Sequence, residues 1–323
     1  MNLESSRPSP ELSAEPVSQG ESAPAGGFVP SWRRFKGLAI FSAVLVLAFI
    51  KPLLGLVDFA VHKELFAHIL LIPFVSAYLV WIKRNQFVPE SKLNRPLALL
   101  PFVVGTGTII AYRFALGRGW TFAEADYLAV MMFAFLCFLL VGAFLFVETS
   151  YLKSIAFPVA FLFLMIPFPD RVVDCLETFF QYGSTEVSYW MLTLSGMPVL
   201  RDSIYFKMPG FSVVVGPECS GVHSSLILFI TSLLAAHMFL RTPVRRVLFV
   251  LSVIPLGLLR NGFRVFCLGQ LGVRYDPLIL DSWVHHQGGW MFFLLSLIPL
   301  FFLLVYLIKS EARKEQAVSV PTK

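Results

Sequence analysis

Apolar runs long enough to cross a bilayer recur along this chain, and that recurrence limits its fold more than any other feature. Between Gly37 and Ile308 the runs measure about 15 to 21 residues, near the ~20 that an α-helix needs to span hydrocarbon. They predict eight membrane helices, at roughly 37–58, 65–82, 96–112, 127–147, 151–168, 220–240, 246–267 and 289–308. Pro73, Pro101, Pro158 and Pro255 fall inside these stretches, where lipid-embedded helices tolerate them. Composition agrees. Only 14% of the residues are charged, against about 25% in soluble domains. Thirty-three phenylalanines are more than one aqueous core of this size can hide. With a mean hydropathy of +0.74, this excludes a soluble globular protein, a disordered chain and a disulfide-stapled secreted domain. What is left is an all-α polytopic membrane protein.

The runs divide the chain into three parts. Residues 1–35, rich in Ser, Pro, Glu, Ala and Gly, read as a disordered cytoplasmic tail. Residues 36–308 form the integral membrane domain, and 309–323 a basic cytoplasmic tail. The first apolar run begins too far in, and lacks the small-residue cleavage site, for a secretory signal peptide. With both termini cytoplasmic, Arg33, Arg34, Lys36, Lys83, Arg84, Lys153, Arg241, Arg245, Arg246, Lys309, Arg313 and Lys314 all fall at inner helix ends, as the positive-inside rule requires. The net charge of +6 thus reflects orientation in a plasma (inner) membrane. No basic tract interleaved with aromatics points to nucleic acid.

One segment is ambiguous. Residues 171–195 mix apolar residues with Asp174, Glu177 and Glu186, and a ninth span there would invert everything downstream. The reading adopted is an amphipathic helix lying at the outer surface. The following VLRDSIYFKMPGFSVVV alternates around Pro209-Gly210 and predicts a short extracytoplasmic β-hairpin before the sixth span.

Polar residues collect in three places at one membrane face. GPECSGVHSS (216–225) stands at the mouth of the sixth span, RNGFR (260–264) near the far end of the seventh, and VHHQGGW (284–290) just before the eighth. A thiol, a cation and an imidazole can therefore meet. Cys219 is a nucleophile whose thiolate is favoured by nearby positive charge and by the start of a helix. His285 can take up the thiol proton and return one to a leaving amine. Arg264 can hold a developing oxyanion. Ser220 and Gly221 are small enough to admit a peptide backbone, and Arg260 and Asn261, on an otherwise apolar helix, suggest a polar cavity. Such a group suits acyl transfer through a thioester.

Bland readings exist for each member. A lone membrane cysteine is ordinarily a small packed residue, an arginine can snorkel to the interface, and His285 and His286 can be interfacial. His223, four residues after Cys219 and on the same helix face, competes with His285 as the base. Cys137 reads as packing, as do His62, His68 and His237. Cys175 and Cys267 lie near the outer face, where a disulfide with each other or with Cys219 is open. No CxxC pair or zinc spacing occurs, and neither a metal nor a cofactor is indicated. Two rivals from other classes are a multi-span transporter, against which no inverted repeat appears, and a lipid-linked glycan polymerase or ligase subunit, for which Cys219 would be dispensable.

At these residues the chain resembles the exosortase/archaeosortase family of membrane-embedded cysteine transpeptidases, from about residue 198 through the last helix. Three signatures occur in order: Glu218-Cys219-Ser220-Gly221, Asn261-Gly262-Phe263-Arg264, and His285 four residues before Gly289. The resemblance implies sortase-like cleavage of secreted proteins that end in a short motif, a transmembrane helix and a basic tail, with transfer to a membrane- or glycan-linked acceptor. Cys219 would be the nucleophile, Arg264 the oxyanion or substrate stabiliser and His285 the acid/base. Many members follow Cys-Ser-Gly with an apolar residue and Arg; this chain has Val222-His223.

Overall fold

The computed structural model describes residues 32–85, 95–216, 220–274 and 289–319. Its helices are α1 (Trp32–Ala48), α2 (Ile50–His62), α3 (Ile72–Ile82), α4 (Leu99–Gly117), α5 (Glu124–Phe146), α6 (Thr149–Ser154), α7 (Ala156–Phe161), α8 (Asp170–Leu194), α9 (Val222–Phe239), α10 (Pro243–Leu251), α11 (Val253–Arg274) and α12 (Gly289–Ser319). Among the described residues six helical stretches are long and apolar enough to cross a membrane, and the number rises to as many as eight if each of two bent pairs is one span. The all-α polytopic expectation holds.

Proline decides where the expected spans break. Pro52, Pro158 and Pro255 each occupy the third position of a helix, α2, α7 and α11. There the ring excludes the carbonyl four residues back and donates nothing to it. The stretch read as one span at 37–58 is therefore a pair bent by 69° between Ala48 and Ile50. The span read at 151–168 is likewise no single helix. It divides at Ile155 and runs into a 3-10 turn at Leu162–Met165. Pro167 and Pro169 then hold the chain extended before α8 leaves at 92°. The carbonyl freed by Pro158 finds another donor, since Lys83 Nζ reaches Ser154 O at 2.8 Å. Ser76 Oγ also donates to Pro158 O at 2.7 Å, which ties α3 to the broken segment.

The amino-terminal half packs as one apolar core, with Leu45, Leu56, Phe59, Phe66, Ile69, Leu128, Met132, Phe135, Phe161 and Met165 among its buried members. A second cluster joins α9, α10 and α12 through Leu228, Leu240, Phe249 and Leu300. At one end of that cluster, Glu311 of α12 is buried and accepts from the backbone N–H groups of Arg241 and Thr242, both at 3.0 Å. It also accepts from Thr242 Oγ1, so α12 caps the start of α10 in place of a local side chain.

Residues 171–195 form the expected helix, α8, and it packs lengthwise against α11. Phe180 faces Gly257, Ser184 faces Asn261, Ser188 faces Gly262 and Leu192 faces Gly269, so α8 runs parallel to α11 for more than three turns. The physical reason is the length of the α10–α11 rod. Large apolar side chains on it are exposed at Val244, Val247, Leu248, Leu251, Ile254 and Leu259, and at none from Arg260 to Val273. Pro243 to Leu259 is about 26 Å of helix, close to a ~30 Å hydrocarbon thickness. From Arg260 onward α11 exposes no large apolar side chain and gives α8 a wall to follow. The expected hairpin is a three-stranded antiparallel sheet, β1 (Leu200–Asp202), β2 (Tyr205–Met208) and β3 (Phe211–Val214). Leu200 pairs with Lys207 and Met208 with Phe211. Gly210 takes φ +89° in the turn after Pro209, as a type II turn needs. Phe206, Met208 and Val215 pack the sheet onto Leu192 and Val265.

Candidate active site

The site takes shape where the chain leaves the sheet and starts α9. Gly221 is the residue before that helix and sits in the left-handed region at φ +74°, ψ +15°. Two constraints demand glycine here. An L side chain is strained at this φ, and a Cβ would stand 2.9 Å from Asn261 Oδ1 and 3.0 Å from Arg260 Nη2. The backbone at Gly221 is thus pressed against the Arg-Asn pair of α11.

Hydrogen bonds lock that contact. Arg260 is only 7% exposed, and its Nη2 donates to Gly221 O at 2.9 Å and to Ser225 Oγ at 3.1 Å. Asn261, 1% exposed, donates through Nδ2 to Ser184 Oγ at 3.0 Å. Ser188 Oγ donates to Gly262 O at 3.1 Å and to Ser184 O at 2.6 Å. Gln181 Nε2 donates to Val215 O and holds the strand that leads into the turn. Glycines make the approach close enough. A Cβ at Gly257 would lie 2.8 Å from Ser225 Oγ, and one at Gly262 2.5 Å from Val187 Cγ1.

A buried guanidinium is costly unless it is hydrogen-bonded. Among the described residues no carboxylate forms an ion pair with Arg260, and its positive charge is met by a carbonyl and a hydroxyl. Arg264 lies one turn on, about 6 Å along the axis and on the same flank, and is half-buried. Two guanidinium groups so placed midway along α11 give a positive environment, which favours a thiolate and can hold an oxyanion.

Of the residues singled out from sequence, Ser220, Gly221, Arg260 and Asn261 are brought together, with Arg264 beside them. Ser220 is buried, and its Oγ accepts weakly from Val222 N at 3.4 Å. Glu218, Cys219, His285 and His286 lie outside the described residues. His223 takes a different flank of α9 from Ser225, since two residues turn a helix by about 200°. It falls within electrostatic reach of Glu64 and His68, in the 3-10 turn Glu64–Leu70. Cys175 and Cys267 are both free thiols, so the disulfide between them does not form; Cys137 is buried as packing. His237 stacks on Phe157 with ring centroids 3.7 Å apart. Among the described residues no group of three His, Cys, Asp or Glu is arranged to hold a metal.

Sequence reasoning passed over Ser184, Ser188, Gly257 and, as a partner of Arg260, Ser225. Their signal is faint: small residues at helical spacing on α8 and α11, which mean close packing only once the two helices are known to be neighbours.

The family profile described as Transmembrane exosortase matches residues 60–302, most of the chain and all of the elements that build this site. No curated protein and no solved structure matches it. A profile of that extent, over a polytopic helical fold, shows that the chain belongs to the transmembrane exosortase family of multi-pass membrane transpeptidases.

Proposed function

We propose that the protein cleaves carboxyl-terminal sorting signals of secreted proteins at the extracytoplasmic face of the plasma membrane, with Cys219 as nucleophile. One observation supports this above the others: the turn that follows Cys219 is seated on the Arg260–Asn261 pair, with 2.9 Å from Arg260 Nη2 to Gly221 O. That contact brings two of the three polar clusters into one place, beside an arginine suited to an oxyanion.

In the proposed reaction the Cys219 thiolate attacks the carbonyl carbon of the scissile peptide. The carbonyl π electrons move to oxygen, and Arg264 stabilises the resulting oxyanion. Collapse breaks the C–N bond, and His285 gives its proton to the departing amine. The products of this half are a thioester on Cys219 and the freed membrane-helix tail. An acceptor nucleophile on a membrane-borne or glycan molecule, or water, then attacks the thioester, loses its proton to His285 and releases the thiolate. No metal or cofactor enters the scheme. With both termini cytoplasmic, the substrate's own helix would enter the bilayer alongside the bundle and its basic tail would stay inside.

The test is Cys219→Ala in membranes with a tagged substrate. The variant is expected to insert normally and leave the substrate uncleaved, and normal processing would overturn the reading. His285→Ala and His223→Ala assign the base, with loss of activity expected from the first alone. Sealed-vesicle flux, expected to be nil, separates the enzyme from a transporter.

A further inference from the structure

We infer that Arg260 is a positioning residue that holds the turn carrying the nucleophile, a role distinct from that of Arg264. The inference rests on the proposed function for the identity of the nucleophile, but its geometry lies wholly within the described residues. Arg260 spends Nη2 on two acceptors of α9, Gly221 O and Ser225 Oγ. These acceptors are the last residue of the turn and a residue one helical turn further on. A single planar group bridging both fixes the axial position and the rotation of the start of α9 against α11.

Gly221 O also accepts from Ser225 N at 3.0 Å, so the guanidinium binds the very carbonyl that begins the helix. Cys219 is two residues back along the chain, and two virtual bonds of ~3.8 Å limit its distance from Gly221 to about 7 Å. Anchoring Gly221 therefore limits how far along the chain any displacement of the cysteine can arise. The second terminal nitrogen strengthens the case that this guanidinium was placed for more than packing. Arg260 Nη1 is buried and has no hydrogen-bond partner among the described residues, a cost that an apolar side chain of similar size would avoid.

Lysine reproduces the arrangement poorly, because its stem is shorter and its ammonium lacks the fixed in-plane N–H directions with which Nη2 meets both acceptors. Ser225→Ala removes one of the two acceptors and leaves the Gly221 bond. The hold should therefore weaken in the order Ser225→Ala, Arg260→Lys, Arg260→Gln.

The experiment uses the full chain in detergent or nanodiscs and reads two quantities: turnover of a tagged substrate, and alkylation of Cys219 by iodoacetamide across pH, followed by peptide mass spectrometry. Arg260→Gln is expected to lower kcat about 100-fold with KM within about threefold, and to slow Cys219 alkylation about tenfold with its profile moved to higher pH. Arg260→Lys should lose about tenfold in kcat, and Ser225→Ala about threefold. Where Arg260→Gln does not fold, Arg260→Lys and Ser225→Ala carry the test. Wild-type alkylation and turnover in the folded variants would overturn the inference. So would a raised KM with unchanged kcat, which would make Arg260 a substrate contact. If Cys219→Ala still processes substrate, the assignment of the nucleophile fails, while the alkylation profile still reports whether Arg260 holds the turn.

Discussion

The apolar core of α1, α2, α3 and α5 and the seam between α8 and α11 are both buried, yet they are built from different materials. The first is Phe, Leu, Ile and Met, with rings meeting edge-on as at Phe49 and Phe135, 5.6 Å apart. The second buries Ser184, Thr185, Ser188, Ser225, Arg260 and Asn261, with Gly257 and Gly262 letting the helices approach. In a lipid environment apolar burial gains little from association, because tails solvate leucine as well as leucine does. Packing of that kind holds helices together without giving them a sharp register. Directional bonds do set register, and they are found where the Cys-Ser-Gly turn must be placed.

That contrast breaks if the seam can be loosened without consequence for chemistry. The largest effect is expected at Gly221→Ala, which adds a strained left-handed residue and a Cβ against Asn261 and Arg260. Turnover should fall by more than about 100-fold while the melting temperature drops only a few degrees, since the local strain is about 1–2 kcal/mol. Next comes Gly262→Ala, whose Cβ would meet Val187 Cγ1 at 2.5 Å. It should cost about 2–3 kcal/mol of stability and reduce turnover as well. Val187→Ala in the same chain should relieve both only in part, since Val187 Cβ would still stand 2.7 Å away, and thermal unfolding of the double variant measures that coupling.

Met132→Ala sharpens the comparison from the other side. Met132 is fully buried in the apolar core, so its truncation should cost about 2 kcal/mol or more and leave kcat within about twofold. A large fall in kcat there would mean that the two regions are not separable. The smallest effect is expected at Ser184→Ala, which removes the acceptor for Asn261 Nδ2. About 1 kcal/mol of stability and a threefold loss of turnover are the outcomes to check by unfolding and kinetics.

Much of the architecture was legible before any coordinates, because membrane crossing is a local demand on about twenty consecutive residues. The eight stretches, the helix at 170–194 and strands around Pro209-Gly210 all follow from local pattern. Helix breaks were less legible. Pro52 and Pro158 look harmless in an apolar run, and only the third-residue position, with the carbonyl four residues back set free, shows why the helix turns there. The partner of α8 was not legible, because its contacts with α11 are long-range. Its serines, Ser184 and Ser188, are satisfied by Asn261 and by the Gly262 carbonyl, partners far away in sequence.

The family signatures Cys219-Ser220-Gly221 and Asn261-Gly262-Phe263-Arg264 marked residues worth watching, but neither tells which arginine grips what. Sequence alone determined that this chain crosses a membrane repeatedly and which polar residues depart from that habit, since lipid selects against charge residue by residue. Tertiary structure decided that Arg260 meets Gly221 and that α8 follows α11, because those contacts depend on the register between helices. Register is set by glycines and hydroxyls that become neighbours only when the chain is folded.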